Sequence, residues 1–210
     1  VEVAEGTSAD HQDGAGESHL VFASNAHGLT GLDPQTGKVL WQVDSAMPDR
    51  VVSSPVIAGD LVINTCGEGG RGKRLVAIQP TRVGSAYRAE EAYVLTGSVV
   101  PYVPTSMAYR DMLFTCHDNG LVSCLVSDTG KVLWSEKPAG RYYGSPICVE
   151  GKLYAMTVDG DVVVLAAERE YRLLAVNALG EKSHATPAVA NGRLLLRTLS
   201  HLISVGGEVD

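Results

Sequence analysis

The sequence predicts an all-β fold, a β-propeller of four-stranded antiparallel blades, and three observations carry that prediction. A short phrase recurs, a longer two-strand grammar recurs four times, and helix signals are nearly absent. The phrase "LDPQTGKVLW" (32–41) returns as "VSDTGKVLW" (126–134), with Gly37 and Gly130 in register 93 residues apart.

The longer grammar runs through "SSPVIAGDLVINT" (53–65), "PTSMAYRDMLFTC" (104–116), "GSPICVEGKLYAMT" (144–157) and "ATPAVANGRLLLRT" (185–198). Each has a small or hydroxyl residue with Pro or Ser, a short apolar run, a turn and a second apolar run. That order reads as two short strands, joined at Gly59-Asp60, Arg110-Asp111, Gly151-Lys152 and Asn191-Gly192. A third strand follows in "NAHGLTGLD" (25–33), "HDNGLVSCLV" (117–126) and "VDGDVVVLAA" (158–167).

The fourth strand is the recurring phrase itself. Its Asp and Thr side chains suit capping of their own turn, its Gly supplies positive φ, and Val-Leu-Trp suits a packed strand, with Trp41 and Trp134 as wedges between sheets. Worn copies, "AYRAEEAYVLTGS" (86–98) and "EREYRLLAVNALG" (168–180), stand where the phrase should recur, so the 93-residue interval spans two units. At the start, "VEVAEG" is expected as a first strand, then a polar insertion, "TSADHQDGAGES", before "HLVFAS" resumes.

Blades are therefore expected at 1–48, 49–98, 99–139, 140–180 and 181–207 of a single domain, four full and a partial fifth. Units of roughly forty to fifty residues are the period of a propeller. A β-sandwich explains the strands but not the period. Strands such as "DVVVLAA" that do not alternate fit blades buried on both faces.

The net charge of -7 argues against nucleic acid, and no apolar run is long enough to span a membrane. The first twenty residues have neither the basic nor the apolar region of a signal peptide. The four cysteines are not spaced for zinc; Cys116 and Cys124 flank a turn and are the one pair to test for a disulfide.

"GEGGRGKR" (67–74) satisfies the spacing of a phosphate-binding loop, but Arg74 stands where a hydroxyl is needed and both flanks read as strands. A hairpin loop is expected. The six histidines lack metal-ligand spacing, with His27 and His117 in equivalent turns, and no serine has a nucleophile motif.

"GLTGLDPQTGKVLW" and "GLVSCLVSDTGKVLW", set among the "SPV" and "SPI" strands, resemble the pyrroloquinoline-quinone-like propeller repeat. That module occurs in quinoprotein dehydrogenases and in the barrel-assembly lipoprotein of bacterial outer membranes. The resemblance covers nearly the whole chain and is similar in detail to the C-terminal blades of exported propeller proteins of planctomycete-type bacteria. Such propellers have about seven or eight blades, so the resemblance implies either part of a larger propeller or a closed five-bladed ring. The partial reading is preferred, and it implies as partner the missing blades of a longer chain or another protein chain.

In a propeller, residues entering the innermost strands ring the channel mouth. These are Asp49 and Arg50, Tyr102, Arg141 with Tyr142 and Tyr143, and Lys182 with His184. Arginines beside tyrosines suit recognition of an anion, a sugar or a peptide, and equally suit filling the channel wall. The first functional reading is a non-catalytic scaffold, periplasmic or otherwise exported, binding a protein or small ligand at that mouth, with no cofactor or metal. The alternative is a fragment of a quinone-dependent alcohol or sugar dehydrogenase, which alone would require pyrroloquinoline quinone and calcium. The resemblance makes that chemistry depend on vicinal cysteines and a free tryptophan platform, and this sequence offers neither.

Overall fold

Tight turns needing positive φ set the strand boundaries. Asn191 and Gly192 have φ of 50° and 71°, and Glu150 and Gly151 have 49° and 71°, as in a two-residue hairpin turn whose twist suits its strands. The latter turn lies one residue before the expected Gly151-Lys152, because Lys152 already pairs with Val149.

The computed structural model describes residues 8–12, 18–68 and 71–206. Within them the strands form five antiparallel sheets, each in chain order from one edge to the other. The first contains β1 (Ser8–Gln12), β2 (Ser18–Ser24), β3 (Gly28–Leu32) and β4 (Val39–Val43). The second contains β5 (Val56–Ala58), β6 (Leu61–Glu68), β7 (Arg71–Val83) and β8 (Ala86–Thr96). β9 (Met107–Tyr109), β10 (Met112–Cys116), β11 (Val122–Val126) and β12 (Val132–Glu136) form the third. β13 (Ile147–Val149), β14 (Lys152–Met156), β15 (Asp161–Ala166) and β16 (Leu173–Ala178) form the fourth. The fifth has β17 (Ala188–Ala190), β18 (Arg193–Arg197) and β19 (Leu202–Val205), and no fourth strand among the described residues.

The first strands of the first four sheets touch in succession, which sets the sheets around a common axis as propeller blades. The arc stays open. Phe22 on the outward face of the first sheet is 39% exposed, and Leu202 in the last is 67% exposed, so the ends do not seal a five-bladed ring.

Two features depart from expectation. β1 lies inside the segment read as a polar insertion, paired with β2 from Ser8↔Phe22 to Gln12↔Ser18, while "VEVAEG" lies outside the described residues. An edge of β2 needs a backbone partner more than that partner needs apolar side chains. The β7–β8 hairpin also outgrows its blade, paired out to Val83↔Ala86. Its extension leans on the first sheet, where the Tyr87 ring meets His19 edge-on at 4.6 Å and Ala89 joins the first core.

The core lies between blades and is organised by one repeated device. A bulge falls after Gly31, Ala77, Cys124 and Val164 on the third strands. Opposite these residues stand Trp41, Tyr93, Trp134 and Ala175 on the fourth strands. Trp41 lies flat on Gly31, where an added Cβ would come within 2.2 Å of the indole. Its Nε1 donates to His19 Nδ1 at 3.1 Å; Trp134 Nε1 donates to the Glu168 carbonyl at 3.2 Å, and Tyr93 OH to the Ser127 carbonyl at 2.6 Å. The expected wedge role of both tryptophans is met, with Tyr93 as a third wedge.

The turn chemistry of the phrase is also present. Asp33 Oδ1 accepts from the amides of Gln35 and Thr36, which lowers the Asp33 pKa, and Gly37 has φ of 70°. Cys116 and Cys124 are free thiols. They face Val122 and Phe114 rather than each other across β10 and β11, so no bridge forms.

Trp41→Ala should lower unfolding free energy by about 3 to 5 kcal/mol in urea titrations. Ala175→Gly, at the same place in the fourth blade, should cost about 1 kcal/mol or less. Equal losses would rule out the wedge as the main interblade contact.

Candidate functional site

A chain of hydroxyl groups joins successive blades at the entries of their first strands. The Ser54 amide donates to Thr105 Oγ1 at 3.0 Å, the Thr105 amide to Ser145 Oγ at 2.9 Å, and the Ser145 amide to Thr186 Oγ1 at 2.9 Å. Each bond joins one blade to the next at the entry of its first strand, and the repeated Ser/Thr of the grammar is its source. Counting back four residues from each hydroxyl gives Arg50, Pro101, Arg141 and Lys182. Three of the four blades place a cation there.

Backbone bonds hold those positions in one register. The carbonyls of Arg50, Arg141 and Lys182 accept from the amides of Gly67, near the end of β6, and of Val158 and Leu199, in the turns between second and third strands. Extended segments alternate their side chains, so neighbours of these residues turn inward and the next turn out. Arg141 is exposed, Tyr142 fully buried and Tyr143 37% exposed; Lys182, Ser183 and His184 repeat that order.

Of the six expected mouth residues, three come together. The His184 ring meets Tyr143 at 5.2 Å between centroids and 64°, and the Arg141 guanidinium lies 6.0 Å from the Tyr143 ring. Arg50 occupies the equivalent cation position on the second blade. Tyr142 is corrected: it sits in the core between the third and fourth blades, its hydroxyl has no partner, and burial raises its pKa. Tyr102, half-buried, takes the same inward position one blade earlier.

The turns beneath the rim also separate two histidines that the sequence paired. His117 opens its turn and is fully buried, with the Val99 backbone beside its ring. Burial pushes its pKa down to about 4, with Lys73 and Lys137 adding repulsion. His27 falls at the third residue of its turn and is exposed. In the last blade, Glu181 accepts from Ser200 and Thr198 hydroxyls and contacts His201 Nδ1 at 3.1 Å, which holds its pKa at about 2. Both Ser200 and Glu181 meet the same imidazole nitrogen, so the group cannot relay a proton as a hydrolytic triad would.

Both tryptophans are spent in interblade cores with their Nε1 bonded, the cysteines sit on separate strands, and no three metal-ligating side chains gather among the described residues. "GEGGRGKR" spans the end of β6 and the start of β7, with Glu68↔Arg71 paired, so no helix start is present to hold a phosphate.

The fold is that of a propeller scaffold, with Arg50, Arg141 and Lys182 recurring at one position of three blades. The family model described as outer membrane protein assembly factor BamB matches residues 4–103 and 95–198, and the chain belongs to this family of pyrroloquinoline-quinone-like propeller repeats. Among solved structures it is similar to BamB from Moraxella catarrhalis, with a TM-score of 0.68 and 17% identity over 96% of this chain and 58% of that one. A europium-containing methanol dehydrogenase matches with a TM-score of 0.45 and 16% identity, over 61% of this chain and 24% of that one. No curated protein sequence matches. The chain thus spans little more than half the length of the BamB structure, and no described helix is long and apolar enough to cross a membrane.

Two outcomes test the rim's supports. Thr105→Val removes the acceptor of the Ser54 amide and should cost about 1 to 3 kcal/mol in urea. Because the folded chain resists protonating His117, stability should fall as pH drops from about 6.5 to 4, the window in which only the unfolded chain takes up that proton. The loss should approach about 3 kcal/mol at about 1.4 kcal/mol per unit. His117→Gln should remove that part of the pH slope, and an unchanged slope would count against it.

Proposed function

We propose that the chain is part of a non-catalytic, exported scaffold of the bacterial envelope that binds polypeptide at its channel mouth. The observation that carries this reading is the exposed Tyr143, held between the Arg141 guanidinium and the His184 ring, on a rim that repeats a cation at Arg50, Arg141 and Lys182. Arginine and tyrosine are enriched in protein-binding hot spots, tyrosine for its large area at low ordering cost and arginine for its several donors. Tyr102 and Tyr142 support the rim from within.

The description of the matched family as an outer membrane protein assembly factor supports a polypeptide ligand and a periplasmic setting. Spaced cations suit acidic side chains on an extended segment, and the adjoining aromatic suits an apolar one. The probe for this reading is a dye-labelled outer-membrane β-barrel polypeptide kept unfolded in urea and diluted onto the chain. Binding by fluorescence anisotropy should be saturable, and Tyr143→Ala or Arg141→Ala should weaken it about tenfold or more. The reading fails if the polypeptide does not bind, or if the variants bind as well as the parent.

A further inference from the structure

The sequence holds two Asn-Gly pairs, Asn119-Gly120 and Asn191-Gly192, and the fold treats them differently. In such a pair the side-chain amide carbon of the asparagine can close a five-membered ring with the nitrogen of the next residue, and glycine puts no side chain in the way. Asn191 and Gly192 are the two central residues of the turn between β17 and β18, with φ of 50° and 71°. Asparagine suits that left-handed position. Both residues are exposed, and among the described residues the Asn191 side chain and the Gly192 amide have no hydrogen-bond partner. No atom outside its own turn lies within 4 Å of where a Gly192 Cβ would stand.

The other pair is held shut. Asn119 Oδ1 accepts from the Leu121 amide at 3.1 Å, and the Gly120 amide donates to the His117 carbonyl at 3.0 Å. Gly120 is buried, and a Cβ there would come within 2.3 Å of the Gly140 carbonyl oxygen, so this turn is pressed against the segment that leaves its blade. Rotation that brings the Gly120 nitrogen onto the Asn119 side chain must break both bonds and that packing. At Asn191 the same rotation disturbs only an exposed turn. The exposure belongs to the place in the blade: Arg110 and Glu150, with φ of 56° and 49°, hold the same turn position in the third and fourth blades and are exposed too.

We propose that Asn191 is a site of spontaneous deamidation that opens the hairpin of β17 and β18. The Gly192 nitrogen gives up its proton and bonds to the side-chain amide carbon of Asn191, whose bond to its own nitrogen breaks with release of ammonia. Water then opens the cyclic imide at either carbonyl, leaving aspartate, or isoaspartate with the backbone routed through the former side chain. One water is consumed and one ammonia released, with no oxidant, reductant or cofactor. Isoaspartate adds one backbone carbon to a two-residue turn that fixes Ala190↔Arg193, and a register set by so short a loop does not absorb it. β17 pairs with β18 alone, and the Thr186 hydroxyl that accepts from the Ser145 amide stands just ahead of β17, so the link to the fourth blade loosens with the hairpin. The site is separate from the mouth and does not depend on the function proposed there.

The test keeps the whole folded chain for several weeks at mildly alkaline pH and body temperature, then reads the tryptic peptides 183–193 and 111–131 by mass spectrometry. The first should gain about one mass unit at Asn191, about tenfold faster or more than the second gains it at Asn119, because local opening sets both rates. In urea the two should convert at comparable rates. Among the aged forms, isoaspartate should melt lower in calorimetry than aspartate, which carries the same charge without the extra backbone carbon; Asn191→Asp supplies the aspartate form for comparison. The proposal is overturned if Asn191 stays intact, if Asn119 keeps pace with it in the folded chain, or if the isoaspartate form melts with the aspartate form.

Discussion

A sheet with two apolar faces cannot stand in water alone, and every blade of this protein depends on the next to cover it. The cover is made by a bulge on the third strand and a large side chain opposite on the fourth. Aromatic wedges meet small platforms, Trp41 on Gly31, Tyr93 on Ala77 and Trp134 on Cys124, while Ala175 stands opposite the larger Val164. The bulge lets the strand bend so that the wedge lies across it rather than standing clear. Where the wedge shrinks to Ala175, the outer strand of the fourth blade stays exposed at Leu173, Leu174 and Val176.

The same repetition builds the mouth. The bonds from Ser54 through Thr105 and Ser145 to Thr186 tie the blades at their inner ends, and the wedges tie them further out. Side chains four residues before each hydroxyl therefore recur on one rim, whatever their chemistry. A scaffold of this kind can change ligand by changing rim residues without disturbing its core.

Much of the architecture was legible in the residues. The spacing of Gly37 and Gly130 gave the period, and the Ser/Thr-Pro grammar located the hairpins. Less was legible at the site. Tyr142 and Tyr143 are adjacent and identical in type, and which one reaches solvent depends on the amide bond from Tyr142 to the His117 carbonyl in another blade. His117 and His27 lie in corresponding turns of different blades, but only His117, which opens its turn, is drawn into the core. The long β7–β8 hairpin and the place of β1 were hidden for a related reason, since polar sequences carry little periodicity and settle where a neighbouring edge or face accepts them.

By itself, then, the sequence determined the repeat, the strands within it and the large side chains that separate blades, because these follow from turn chemistry and apolar pattern within about forty to fifty residues. It also excluded a phosphate loop from the flanking strands and the eighth residue alone. Tertiary structure decided which of two neighbouring side chains reaches solvent and which hydroxyls link blades. Those outcomes rest on contacts between residues some forty positions apart, such as Ser145 and Thr186, which no local pattern encodes.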